Sequence, residues 1–489
     1  MNLIKVTIPI LVLLFCSHDL LAQVPLIPLL RTVDINLGET LQINLHDGKP
    51  VVVELLAVQP EFDSVFDAVR DVKVTIRVNG EEKTIQSGNY NLPVQIGGVQ
   101  VDCPVTLDYM KKASVDWWGL VKDVRLRFWP AGSPYLWPGT MVYPVNQKWM
   151  ATFTQFSNEP VIAGPRTDGK VYYHAGLDLG GAEDMVEVYA ATDGVVVSVR
   201  GDVLDSESDN PINPRYDVVY IRDARGWYYR YSHFDSIIPE LEVGQQILAG
   251  QLLGMLGKEG GSGGWSHLHF EIVSRQPSGK WGTQEGYAFL FQAYLRQYDP
   301  EILAIARPHK VIHVGEKVVL TAANSWSKHE IVNFEWTLSN GARKTGKEIE
   351  NIYQHPGTYS EIVKVTDEKG NYDYDFAVVK VYEKGSKGLV GLPDIHATYF
   401  PTMGVKPLDK VFFQVRTRWE TDGLDVWDFG DGSPSVSVKS NIETENHSRV
   451  GYSVISHRFK EPGDYLVSVQ RITDNGRATA NIYVKISVK

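Results

Sequence analysis

Hardly a segment of this chain escapes a short alternation of Val, Ile, Tyr or Thr with polar residues, cut every few positions by Gly, Asn, Asp or Pro. That period of two belongs to half-buried β-strands, and the punctuation belongs to turns. "DVKVTIRVNGEEKTIQ", "GVVVSV" and "DVVYIRD" are examples, and Asn79–Gly80 carries the signature of a two-residue hairpin turn. Helix-compatible stretches are few and short, the clearest lying around Phe289 to Arg296. The expectation is a mostly β, multidomain protein. At 489 residues the chain is too long for one ordinary domain.

The alternation divides into regions. Residues 1–22 read as an export signal: Lys5, then the apolar run "VTIPILVLLF", then a cleavage point after Ala22. The run is too short to span a bilayer comfortably, and no later stretch is long and apolar enough to do so. A bulky Phe15 before Cys16 makes a poor lipid-attachment box, so an exported protein is expected, in the periplasm, at the cell surface or outside the cell. Beyond the signal the single cysteine, Cys103, excludes an internal disulfide and a cysteine-rich zinc site. The net charge of −11 argues against nucleic acid as a partner and against tight electrostatic hold on an anionic polymer. A monomer is expected.

Residues 23–142 form an N-terminal β region of unknown role, ending in an aromatic stretch that contains Trp117, Trp118, Trp129 and Trp137. Those rings suit the cover of a joint between β domains better than a substrate surface. At the other end an internal repeat is visible: a Trp in a strand, a Pro-Gly-x-Tyr turn, and a strand closing on Thr-Asp. It occurs once over 300–384 ("FEWTLSNG", "YQHPGTYSEIVKVTD") and once over 385–489 ("DVWDFGDGSP", "HRFKEPGDYLVSVQRITD"). Trp427 is expected between two sheets, with Asp431–Gly432 closing a hairpin. Both copies resemble PKD domains, "WDFGDGSP" specifically so. The resemblance implies two immunoglobulin-like β-sandwiches with a spacer or adhesive role. On that reading the copies are separable, and cutting after about residue 300 leaves the rest of the chain functional.

Chemistry concentrates in residues 143–299. Of thirteen histidines, four lie between 170 and 272 in the motifs "HAGLD", "YSH" and "HLHFE". On a strand, His267 and His269 project from one face, about 7 Å apart, close enough to serve one metal centre. "HAGLD" adds an imidazole, His174, and a carboxylate, Asp178, with Gly176 free to bend the backbone between them. A catalytic zinc needs three protein ligands and an open position. The surplus of candidate groups over three therefore favours a catalytic site to a closed structural one.

"HAGLDLG", "ATDGVVVSV", "YYRYSH", "VGQQILAGQLLGMLG" and "SHLHFEI" follow one another in the order of the lysostaphin/LytM zinc endopeptidases, which this region resembles. The resemblance implies a compact antiparallel β fold with an open groove. It implies Zn2+ held by His174, Asp178 and His269, and catalytic positions for His233 and His267. Tyr231, two residues before His233, could orient that ring, although packing is its commoner use. The chain departs from the family at "RYDVVY", at the insertion "GDVLDSESDNPINP" and at "QFSNEPVIAGPR", all loop positions that bear on specificity. The expected activity is hydrolysis of peptide bonds in peptidoglycan cross-links or stem peptides. Alternatives are cleavage of Gly-rich extracellular proteins, which the acidic charge suits, and a non-catalytic adhesion or regulatory relative. A biotinyl-like or sugar-phosphotransferase module, suggested by "DGVVVSV…VGQQILAGQLLG", is disfavoured by the export signal and the missing carrier lysine.

Overall fold

The computed structural model describes residues 27–161, 170–207, 210–385, 392–418, 422–442, 451–474 and 476–488. The export signal expected at 1–22, with Cys16, lies outside the described residues. The protein is mostly β, with two short α-helices, Leu107–Lys112 and Tyr287–Tyr298, among the described residues. The second is the helix expected near Phe289 to Arg296. None of these helices is long and apolar enough to cross a membrane.

The N-terminal region is an eight-stranded sheet. One of its inner strands, Val69–Val78, buries alternate residues. Asn79 and Gly80 then take φ of 48° and 88°, the double left-handed turn anticipated there, and Glu81–Ser87 returns antiparallel. The aromatic stretch covers a joint, as its composition suggested. Trp118 and Trp129 are fully buried, and the Trp118 indole donates to Asn158 Oδ1 at 2.8 Å, across into the next region. Beside them Arg127 is held by Asp102 and donates to the Glu285 carbonyl at 2.6 Å. Cys103 is free and buried, and burial pushes its thiol up to about 12.

The middle of the chain builds a nine-stranded antiparallel sheet. Its path runs Asp202–Val203, Gly194–Val199, Val218–Arg222, Tyr228–Ser232, His267–Arg275, Leu177–Gly180 and Thr154–Gln155. One face packs on a large apolar core shared with a three-stranded sheet and with Phe289, Leu290 and Phe291 of the Tyr287–Tyr298 helix. The other face carries the polar residues of the next subsection.

The two C-terminal repeats are sandwiches with separate cores, one around Trp336 and one around the fully buried Trp427. Replacing either Trp by Ala removes the largest side chain of its core. A loss of about 3–5 kcal/mol is expected, read as a lower urea midpoint. The link between Asp425–Asp428 and Val436–Val438 is a seven-residue loop and not a tight hairpin. Within it Asp431 accepts from Ser433 and from His457, which fixes the loop shape.

The repeats are not detachable beads. Gly357 and Thr358 of the first pair in parallel with Arg477 and Ala478 of the second, so one sheet runs through both. Both also dock on the middle region: Leu303 and Ile305 lie in its core, and Ala151 of the middle region lies in the core of the second repeat. Period-two patterning marks which residues of a strand are buried but not what buries them, so this docking left no trace in the sequence.

Candidate metal centre

The strand Leu177–Gly180 lies between Thr154–Gln155 and His267–Arg275, with Asp178 directly opposite His269 and Gly180 opposite His267. Strand alternation therefore puts Asp178, His267, His269 and Glu271 on one face, while Leu268 and Phe270 enter the core. His174 arrives from the preceding loop. Its entry depends on Gly176, which has φ of 82°; a Cβ there would sit 2.7 Å from the Phe270 carbonyl.

Three donor atoms converge. His174 Nε2 lies 3.0 Å from Asp178 Oδ1 and 3.1 Å from His269 Nδ1, and His269 Nδ1 lies 2.8 Å from Asp178 Oδ1. All three residues are buried. Four ligands at zinc's usual 2.0–2.1 Å in tetrahedral array stand about 3.3 Å from one another. A triangle with edges near 3 Å, made of two imidazole nitrogens and a carboxylate oxygen, fits that array after opening by a few tenths of an ångström. Burial alone would raise the Asp178 carboxyl; the charge of His174 and the hydrogen bonds of His174 and His269 instead hold it well below the usual range.

Two more imidazoles stand beside the triangle. His267 Nδ1 faces the Trp265 carbonyl at 3.0 Å, which assigns its proton to that nitrogen and leaves Nε2 as the lone-pair edge. His267 Nε2 is 3.3 Å from Asp178 Oδ2. Burial pushes His267 well below the ordinary histidine range, favouring the neutral ring. His233 lies with its ring 4.7 Å from that of His267 and 6.0 Å from that of His269. Its Nδ1 donates to the Glu259 carbonyl at 2.6 Å.

His233 reaches the site through backbone geometry that the sequence did not signal. The strand Tyr228–Ser232 ends just before it, and His233 takes φ of 73°. Alternation stops there, so Tyr231 does not share its face. Tyr231 is buried in the core against Phe270, its hydroxyl accepting from the Ala191 N–H at 2.7 Å. The packing reading of Tyr231 holds and the orienting one does not.

Asp217 does that orienting. Its Oδ2 accepts the His233 backbone N–H at 3.1 Å and lies 3.4 Å from His233 Nδ1, while Arg215 grips the carboxylate with two nitrogens. Glu271, one step along the face from His269, has Oε2 3.8 Å from His269 Nε2 and Oε1 bonded to Thr283 at 2.8 Å. Against burial, His269 and Arg230 draw it down to about 2, so it stays an anion behind the ligand edge. Glu271 was legible as the third member of the alternation in "HLHFE". Asp217 sits in "RYDVVY", read only as a departure. The insertion that precedes it packs Leu204 and Ile212 on Tyr220 and Tyr228, which project from the same sheet face as His269.

Residues 172–280 match the model of peptidase family M23, and residues 299–381 and 398–486 each match a PKD domain model. The chain carries a peptidase family M23 domain followed by two PKD domains. Among solved structures, one similar to it is a LytM protein from Ruminococcus gnavus ATCC 29149 assigned as a glycyl-glycine endopeptidase. They are 23% identical over 32% of this chain, with a TM-score of 0.20; the match spans 61% of that protein's length. Another is the antimicrobial peptidase lysostaphin from Staphylococcus simulans, at 16% identity, 50% of this chain, 95% of that one and a TM-score of 0.22. A third is Helicobacter pylori Csd3, at 10% identity, 53% of this chain, 81% of that one and a TM-score of 0.21. The M23 match covers all five residues of the centre.

Proposed function

We propose that this chain is an exported, zinc-dependent endopeptidase whose M23 domain hydrolyses peptide bonds, with peptidoglycan cross-links or stem peptides as substrate. The reading rests chiefly on the triangle of His174 Nε2, Asp178 Oδ1 and His269 Nδ1. These three would hold the ion, with the Glu271 carboxylate standing as an anion behind the far edge of His269. Bound zinc supplies the Lewis acidity that brings the pKa of a water down to about 7. His267 takes the proton of the attacking water on Nε2, the edge left free by its bond to the Trp265 carbonyl. The imidazolium so formed faces Asp178 Oδ2. His233, whose Nδ1 is engaged by Glu259, presents Nε2 to the developing oxyanion. Donation from Nε2 needs the ring doubly protonated at that moment; burial holds His233 below the ordinary histidine range, and the Asp217 carboxylate beside Nδ1 works against that burial in favour of the charge.

Changing His267 or His233 to Ala is expected to leave zinc bound while turnover falls on the order of a hundredfold or more. Metal analysis alongside peptide hydrolysis checks this, and loss of zinc in either variant would make that residue a ligand.

The acidic balance of the chain, −11 overall, favours a second substrate class: Gly-rich extracellular protein, which lacks the anionic repulsion of a cell wall. Release of soluble fragments from purified peptidoglycan, set against release from elastin and collagen, tests the choice. Hydrolysis of the proteins but not the wall would transfer the assignment to the second class.

A further inference from the structure

The residue that fixes the His267 tautomer is itself held by the far end of the chain. Trp265 offers its carbonyl to His267 Nδ1 and lays its ring flat on the imidazole, centroids 3.9 Å apart and planes 20° apart. That indole is wedged edge-on between Phe153 of the peptidase region, at 5.2 Å, and His396 of the second PKD domain, at 5.1 Å.

The glycine-rich segment leading into Trp265 is pinned from the same side. Arg418 donates to the Gly263 carbonyl and Arg416 to the Gly264 carbonyl, each at 2.7 Å. The Ser266 N–H donates to the Tyr452 hydroxyl at 2.8 Å. These groups come from one sheet of the second PKD domain, formed by Asp394–Phe400, Val411–Arg418 and Ser453–His457, or lie at its edge. A loop with glycines at 260, 261, 263 and 264 has little conformational preference of its own, so its shape must be imposed.

We infer that the second PKD domain is a working part of the active centre: Arg416, Arg418 and Tyr452 are positioning residues that set the 263–266 loop, and through Trp265 the orientation of His267. The inference rests on the peptidase reading for its effect on rate, but the geometry it claims exists without turnover. A base displaced by an ångström loses rate steeply while ground-state binding is largely kept. The fault should therefore appear in kcat.

The test uses the full-length, zinc-loaded chain and three variants: R416Q/R418Q, Y452F and R418K. Two readouts are needed. One is kcat and KM on a soluble peptide with zinc content measured in parallel. The other is the NMR signal of the His267 ring, assigned by its disappearance in H267Q, which the stacked Trp265 ring displaces from the position of an exposed histidine. For R416Q/R418Q we expect kcat to fall about tenfold or more with KM and zinc little changed, and the His267 signal to move toward the exposed position. Y452F should move both in the same direction by less, and R418K, which keeps a donor for Gly263, should stay near the parent. Parental kcat together with an unmoved His267 signal in R416Q/R418Q would overturn the inference. Should the parent cleave no peptide, the peptidase reading falls, and the NMR signal still decides: movement supports the positioning role, and an unmoved signal refutes it.

Discussion

Asp178→Ala should take the bound zinc from about one per chain to none, and with it at least a thousandfold of the peptide hydrolysis. Asp178 contributes more than one ligand atom. Its Oδ1 closes the triangle with His174 Nε2 and His269 Nδ1, and its Oδ2 is the carboxylate oxygen nearest His267 Nε2. Alanine removes the only anion among the three converging donors. It leaves two imidazole donors with no anion beside them to offset the charge of a dication. His174→Ala and His269→Ala should follow the same course. Mass spectrometry of the native protein, or elemental analysis after extensive dialysis, reads the metal directly. Full zinc occupancy in any of the three variants would mean that this residue is not a ligand.

A chain ending at Asp299 should be inactive even on a small soluble peptide, by about a hundredfold or more. The sequence alone suggested the opposite, because each repeat has its own Trp-centred core and all five site residues precede the first. Three observations reverse that expectation. Leu303 and Ile305 are buried in the core of the peptidase region, so the cut removes two of its apolar side chains, each worth about 1.5–3 kcal/mol of burial. Ala151, buried in the core of the second repeat, becomes exposed. The 263–266 loop loses Arg416, Arg418 and Tyr452. A shorter deletion, ending near residue 385, keeps Leu303 and Ile305 and removes only the second repeat. It should still lose most of its kcat while remaining folded by circular dichroism. Near-parental turnover of the small peptide by either shortened chain would restore the spacer role.

How far the sequence carried this picture depended on range. The candidate groups His174, Asp178, His267 and His269 were legible from two local patterns, H-x-x-x-D with a glycine between and H-x-H on a strand, while the choice of ligands among them came from the family resemblance. Two immunoglobulin-like modules were legible from the repeated Trp and Pro-Gly-x-Tyr turn, and both match PKD models. The positions of Asp217 and Trp265 relative to the imidazoles were not. Asp217 reaches His233 by a turn in which a non-glycine residue takes positive φ, a conformation that no residue in "YSHF" announces. That same turn defeated the inference about Tyr231, since alternation holds only while the strand lasts. Docking of the second PKD domain on a glycine-rich loop depends on two surfaces 152 to 186 residues apart in the chain, and each looks like ordinary solvated β sequence when read alone.

The departures from the family pattern fall outside the strands Leu177–Gly180 and His267–Arg275 that carry Asp178, His267 and His269. The insertion before Val218 brings Leu204 and Ile212 over Tyr220 and Tyr228, on the sheet face that carries the centre. Residues 162–166, the end of the divergent "QFSNEPVIAGPR", lie outside the described residues. Asp178, His267 and His269 stand on the strands beneath, with His174 and His233 entering from loops beside them.

The most direct test of the central proposal is hydrolysis by the purified full-length chain before chelation, after chelation, and after zinc is restored. Purified peptidoglycan and a Gly-rich protein are offered separately. The proposal predicts fragments from at least one of them, none after the metal is stripped, and recovery when about one equivalent of zinc is returned. Cleavage that survives complete removal of zinc, or a fully zinc-loaded chain that cuts neither substrate, would contradict it.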